Sequence, residues 1–238
     1  LSYVAEEDSI DDQLLAHLDA ALAEMANQGV KHVVFSGLSM GSRLMTAGAA
    51  AWQSGVFNPG ADLDLIGLIG AGMYPDTGGI APTPGNPSSI DDFNVYDVAS
   101  NLALIDSIPV LDIYGSLDSK AVNFADGRRT AYGGEPGQYV QTAIDCPAID
   151  GSYYAFLGGG VYSPYLENRC HQLRDGYSYD AVTNSYYLDF AVRAPMISTI
   201  GAFMNDYVVP QTKVPEPPAL LLILAGLPLL ALGRRRRT

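Results

Sequence analysis

Apolar positions along this chain fall into alternating blocks of two kinds. After a polar, acidic entry at Asp8 to Asp12 they recur near helical spacing, at Leu14, Leu15, Leu18, Ala21, Leu22 and Met25. That spacing predicts a helix, which Asn27-Gln28-Gly29 ends, with Gly29 as C-terminal cap. The run "VKHVVFSG" (30–37) is compact and β-branched and predicts a strand. "MGSRLMTAGAAAWQS" (40–54) predicts an alanine-rich, close-packing helix, and "ADLDLIGLIGAGMYP" a second buried strand around 63–71. Residues 74–89, "YPDTGGIAPTPGNPSS", carry too much proline and glycine for regular structure. A short helix is expected near Val95 to Ile105. "IPVLDIYGSLD" predicts a third strand ending in a Gly-x-x-Asp turn, with a helix around 119–131 after it. "QYVQTAI" (138–144) alternates as a strand, and 194–208 predicts a closing amphipathic helix. Residues 147–187, rich in tyrosine and glycine, read as loop.

Helices alternating with strands imply parallel strands joined by crossover helices. The uninterrupted apolar strands agree, since strands covered on both faces lose the polar alternation. The expected fold class is therefore α/β, a mostly parallel sheet with helices on both faces. No internal repeat is visible. With 238 residues, 48% of them hydrophobic and 16% charged, the chain has enough apolar material for one good-sized domain. The net charge of −13 includes four terminal arginines, so the body is more acidic still and should repel nucleic acid and anionic membrane surfaces.

Candidate chemistry centres on "VVFSGLSMGSR" (33–43). Gly37-Leu38-Ser39-Met40-Gly41 fits Gly-x-Ser-x-Gly, which chance can supply in a chain this rich in Gly and Ser, so its context carries the argument. Here it sits where a strand gives way to a helix, as a nucleophile elbow must. A structural or phosphate-cradling glycine turn is the alternative. A serine nucleophile needs a base, and the base an orienting acid. Of three histidines, His17 lies in the first helix and His32 in the elbow strand, which leaves His171 as base. Asp118, just past the third strand, is the first-choice acid. Asp76 is the reserve, and Asp112, within the strand, is less well placed. No cofactor is implied. Cys146, Cys170 and His171 make at most three metal ligands, without finger spacing, so no metal is expected.

On "VVFSGLSMGSR", "IPVLDIYGSLD" and the order histidine-then-helix, residues 14–208 resemble the α/β-hydrolase superfamily. The resemblance implies Ser39 as nucleophile, Asp118 as acid, His171 as base and the Met40 backbone N–H as an oxyanion donor. By the same resemblance the family's first strands are lacking here; the start at Leu1, with no export signal in view, reads as that of a fragment or a processed chain. In the family the histidine follows the last strand closely, whereas here 147–169 intervenes. Pairing of Cys146 with Cys170 would fold that segment out and return His171 to the strand end. Tyr153, Tyr154, Phe156, Tyr162 and Tyr165 of the excursion, or the turns of 74–89, are candidate walls or lids of a substrate pocket.

The C-terminus, "VPEPPALLLILAGLPLLALGRRRRT" (214–238), joins a proline-rich stretch, an apolar run and an arginine cluster. Arginines directly after an apolar run mark the cytoplasmic side of a membrane span. Val214, Pro215, Glu216 and Pro217, the span, and Arg234, Arg235, Arg236 and Arg237 resemble, in order, the PEP-CTERM sorting signal of Gram-negative bacteria. The resemblance implies export, anchoring in the inner membrane by a transmembrane helix at 219–232 with the arginines cytoplasmic, recognition by an exosortase, and delivery to the cell surface or exopolysaccharide matrix. The expected organisation is a partial hydrolase-like domain (1–210), a proline-rich linker (211–218) and a membrane-spanning sorting tail (219–238). The expected function is an exported serine hydrolase, esterase-like, acting on a polysaccharide or lipid ester. The alternative is a non-catalytic matrix or surface protein on the same scaffold. No nucleic-acid partner is expected of so acidic a body.

Overall fold

The computed structural model describes residues 4–57, 59–60, 62–74, 81–146, 170–171, 173, 176–180, 182–189, 192–212 and 221–224. Its centre is a parallel sheet whose strands are β1 (His32–Leu38), β2 (Asp64–Ala71), β3 (Val110–Gly115) and β4 (Tyr139–Ile144), side by side in the order β4-β3-β2-β1. Around it lie α1 (Val4–Asn27), α2 (Met40–Gln53), α3 (Val98–Ala103), α4 (Ser119–Val122), α5 (Ala125–Ala131) and α6 (Arg193–Phe203). The α/β expectation holds, with the expected 119–131 helix divided into α4 and α5, and α1 starting earlier than its apolar stripe.

Both faces of the sheet are covered, which is why its strands read as unbroken apolar runs. On one face Val33, Phe35, Leu65, Leu68 and Val110 pack with Leu15 and Leu22 of α1, Met45 and Ala49 of α2, and Leu102 of α3. On the other, Val34, Ile66, Ile69, Leu111 and Ile113 pack with Phe203 of α6 and Val208 beyond it. The β1–β2 register shifts between Val33 and Val34, which pair with Leu65 and Gly67. Ile66 is thus an extra residue, a bulge that re-aims the strand. It lets Leu65 and Leu68 face one layer while Ile66 and Ile69 face the other. The closing helix keeps its expected stripe, with Met196, Ile200, Phe203, Met204 and Tyr207 on the packed side, but from Met204 to Val208 it widens into a π-turn.

Two segments differ from expectation. Part of the stretch read as loop forms an antiparallel hairpin, β5 (Gly176–Asp180) with β6 (Ser185–Asp189). The apolar tail also departs: within the expected membrane helix at 219–232, Leu221–Leu224 is a strand, β7, pairing parallel with β1. Short apolar runs suit a strand as well as a helix, and the edge of β1 offers unpaired backbone groups to satisfy them. Among the described residues no helix is long and apolar enough to cross a membrane. The sorting-motif positions 214–217 and 234–237 lie outside the described residues.

Two buried tyrosines make the fold sensitive to alkali. The Tyr132 hydroxyl donates to the Ile108 carbonyl at 2.7 Å. Its burial, with the charge of Asp106, pushes its phenol up to about 12. Burial, and next the charge of Asp112, raise Tyr139 as well. The folded chain keeps these protons where the unfolded chain loses them, near pH 10. Stability from this source is therefore complete below about pH 10 and is lost as pH climbs towards about 12. Urea midpoints measured across that range should fall, and Tyr132→Phe should lessen the fall.

Candidate active site

The C-terminal ends of β1, β2 and β3 deliver the chemistry-bearing residues to one edge of the sheet, where open parallel sheets place their sites. Ser39 occupies the single residue between β1 and α2. Its backbone is at φ 55° and ψ −118°, a conformation that costs a non-glycine residue on the order of 1–3 kcal/mol. Several bonds hold it there. The Ser39 N–H donates to the Ala71 carbonyl at 2.8 Å. The Ser39 carbonyl accepts from the Ser42 hydroxyl at 2.6 Å and from the Ser42 and Arg43 amides. Gly37 and Gly41 allow the turn to be this tight, since a Cβ at Gly37 would collide with the Gly41 backbone. A serine preceding a helix ordinarily caps it. Ser39 makes no such bond, and its hydroxyl points elsewhere.

It points to His171. The Ser39 Oγ lies 2.7 Å from the His171 Nε2, and the His171 Nδ1 lies 2.7 Å from the Asp118 Oδ2. Asp118 is fully buried, while the His171 side chain keeps 16% exposure. The Asp118 carboxylate divides its oxygens: Oδ1 accepts from the Ala121 N–H at 3.3 Å as the N-cap of α4, and Oδ2 faces the imidazole. An ionised carboxylate only accepts hydrogen bonds. The proton of neutral His171 therefore sits on Nδ1, and Nε2 is left to accept from Ser39. The structure brings together all three residues expected from the sequence. Met40 opens α2, where first-turn amides lack an intrahelical acceptor. Ser39's own amide is taken by the Ala71 carbonyl.

The other histidines and carboxylates stand apart. His17 is exposed on α1, and His32 has Nδ1 3.9 Å from Asp64. Asp112 is buried inside β3, where it accepts two bonds from Arg128, at 2.8 and 3.2 Å, and one each from the Tyr139 hydroxyl and Gln141. Asp76 and the aromatic residues of 147–169 lie outside the described residues. Of the turn-rich stretch 74–89, the portion from Ala81 is tied down. Thr83 is buried and bonds Asn101 of α3, and Asn94 reaches the Ala81 carbonyl. Among the described residues no group of His, Cys, Asp or Glu could hold a metal ion.

Cys146 and Cys170 form a disulfide, with Cα atoms 5.7 Å apart. It sits against the turn that carries Asp118. Leu117 N–H donates to Cys170 Sγ and Cys146 N–H to Ser116 Oγ, each at 3.1 Å, and Gly115 is small enough for both sulfurs to lie on it. His171, next in the chain, is thereby fixed beside Asp118. Replacing both cysteines by serine is expected to cost about 3 kcal/mol through the loop released in the unfolded state. Urea unfolding of wild type and the double variant reads this loss directly.

Sequence reading did not single out Gly72 or Tyr74. Gly72 is at φ +59°, and any Cβ there would meet the His171 carbonyl oxygen at 2.9 Å and its ring at 3.3 Å. The Tyr74 ring meets the His171 ring edge-on, with centroids 5.3 Å apart. The signal was present, a glycine and a tyrosine just past a buried strand, but nothing in the sequence ties them to a histidine a hundred residues away. Compared with known protein families, curated proteins and solved structures, the chain matches none.

Proposed function

We propose that this chain is a serine hydrolase of esterase type on an α/β-hydrolase scaffold. The observation that carries the reading is the continuous line Ser39 Oγ, His171 Nε2, His171 Nδ1, Asp118 Oδ2, with both contacts at 2.7 Å. In this reading His171 takes the Ser39 proton as Oγ attacks an acyl carbonyl. The oxyanion that forms is met by the Met40 N–H. His171 then hands its proton to the departing alcohol, leaving an acyl-enzyme, and next activates a water that releases the acid and restores Ser39. Asp118 fixes the tautomer throughout and stabilises the imidazolium. Exposed apolar side chains on the segments bearing the site, Met40, Leu117, Val122 and Phe124, favour an acyl group as the part bound.

The sorting reading rests on the tail. The Pro-Glu-Pro stretch, the apolar run and the arginine cluster support delivery by an exosortase from the inner membrane to the cell surface or matrix. A disulfide suits the oxidising side of that membrane. The substrate in that setting is a polysaccharide or lipid ester.

The decisive experiment is covalent labelling with a fluorophosphonate. The wild type should be labelled on Ser39 and Ser39→Ala should not. A folded wild type that resists the probe would replace this reading with that of a non-catalytic surface protein.

A further inference from the structure

Resting on that reading, we infer that the exit of β2, residues 71–74, is the seat that registers the triad, and that Tyr74 is a positioning residue for His171. Each catalytic residue is referred to this one short segment. The nucleophile is held by it, because the Ser39 N–H donates to the Ala71 carbonyl at 2.8 Å. The acid's strand is held by it, because the Gly72 N–H donates to the Ile113 carbonyl of β3 at 2.7 Å. The base rests on it. Gly72, in the left-handed region, leaves room for the His171 carbonyl and ring, and the Tyr74 ring stands T-shaped against the imidazole at 66°.

Tyr74 is itself gripped from the helices that carry the other two members. The Arg43 guanidinium of α2, four residues past Ser39, lies 4.8 Å from the Tyr74 ring centroid. The Lys120 ammonium of α4, two residues past Asp118, lies 5.4 Å from it. Cations over an aromatic face are attracted by its quadrupole, and T-shaped aromatic pairs are a favoured arrangement. A ring tethered to both the nucleophile helix and the acid helix, with its third contact on the histidine, fixes the imidazole in relation to both its partners. The disulfide restrains His171 only through the backbone of its neighbour. Tyr74 acts on the ring, whose rotation about χ2 would break both of its 2.7 Å contacts.

The test is the second-order rate of Ser39 labelling by a fluorophosphonate, with p-nitrophenyl acetate turnover beside it, in the full chain. Tyr74→Leu is expected to slow labelling and lower kcat by about ten- to a hundredfold, the scale on which small misplacements of a catalytic group act, with KM little changed. Tyr74→Phe, which keeps the ring, should restore both to within about threefold of wild type. In a His171→Ala background, Tyr74→Leu should cause no further loss. Should Tyr74→Leu not fold, Lys120→Met, a change at an exposed side chain that loosens the grip on the ring, should slow labelling about two- to fivefold. Labelling of a folded Tyr74→Leu at the wild-type rate would overturn the role of Tyr74 and leave the hydrolase reading standing. So would an equal loss in the His171→Ala background, or, where only Lys120→Met folds, an unchanged rate. Wild type that does not label at all would instead overturn the hydrolase reading.

Discussion

Ser39→Ala is expected to lower kcat for p-nitrophenyl acetate by about 10⁶-fold, His171→Ala by about as much, and the double variant by no more than either. The reason is the geometry of a single relay. Without the Ser39 hydroxyl, His171 has no proton to take. Without the imidazole, Ser39 is an alcohol with no base within reach. Removing one partner therefore removes the whole contribution of the pair, and the second removal finds nothing left to take. Asp118→Asn should fall less, about 10⁴-fold, because it leaves the site assembled but turns an acceptor into a donor towards Nδ1 and so favours the wrong tautomer. It should leave stability nearly intact, since the Asn oxygen can still accept from the Ala121 N–H. Losses that add independently across Ser39 and His171 would show that the two do not act as one unit, whatever their separation.

Arg128→Met is expected to destabilise the fold by about 3–5 kcal/mol, the cost of leaving a buried charge without its partner. Arg128 and Asp112 are 1% and 0% exposed and joined by two bonds. The Arg128 guanidinium also donates to the Ala121 carbonyl at 2.8 Å, so the pair ties α5 and α4 to β3 behind Asp118. The Asp112 carboxylate left behind in Arg128→Met would keep its bonds from Tyr139 and Gln141 but lose the buried cation that faces it. Adding Asp112→Asn to Arg128→Met should then recover part of the loss, because it removes the orphaned charge and keeps an acceptor for the Tyr139 hydroxyl. Urea unfolding of the two singles and the double measures this directly. An Arg128→Met variant as stable as wild type would mean that the ion pair contributes only what its desolvation takes away.

Much of this was legible because it depends on near neighbours in the chain. The runs "HVVFSGL", "DLIGLIGA" and "VLDIYG" declare strands buried on both faces, and the Gly-x-Ser-x-Gly pattern announces a sharp turn whose tightness Gly37 makes possible. Asp118 and His171 could be reached through chain order and the small number of histidines. What could not be read depends on distant partners. The role of Asp112 requires Arg128, Tyr139 and Gln141 to converge on it, and no local pattern distinguishes it from a strand aspartate on the surface. The β5–β6 hairpin did leave a trace, since "GYSYD" and "SYYLD" flank a turn containing Asn184 at φ 52°. The surrounding tyrosine and glycine hid that alternation. The tail shows the opposite limit: four apolar residues satisfy a strand as well as a span, and the partner available decides.

The disulfide also has a meaning for how such a chain can change. Its two Cα atoms stand 5.7 Å apart, so the stretch between them begins and ends at nearly one point. Loop length enters closure entropy only logarithmically. That stretch could be shortened, lengthened or exchanged for a foreign sequence while Ser39, His171 and Asp118 kept their spacing. The bond thus makes the stretch between the two cysteines a segment whose exchange leaves the line from Ser39 through His171 to Asp118 where it is.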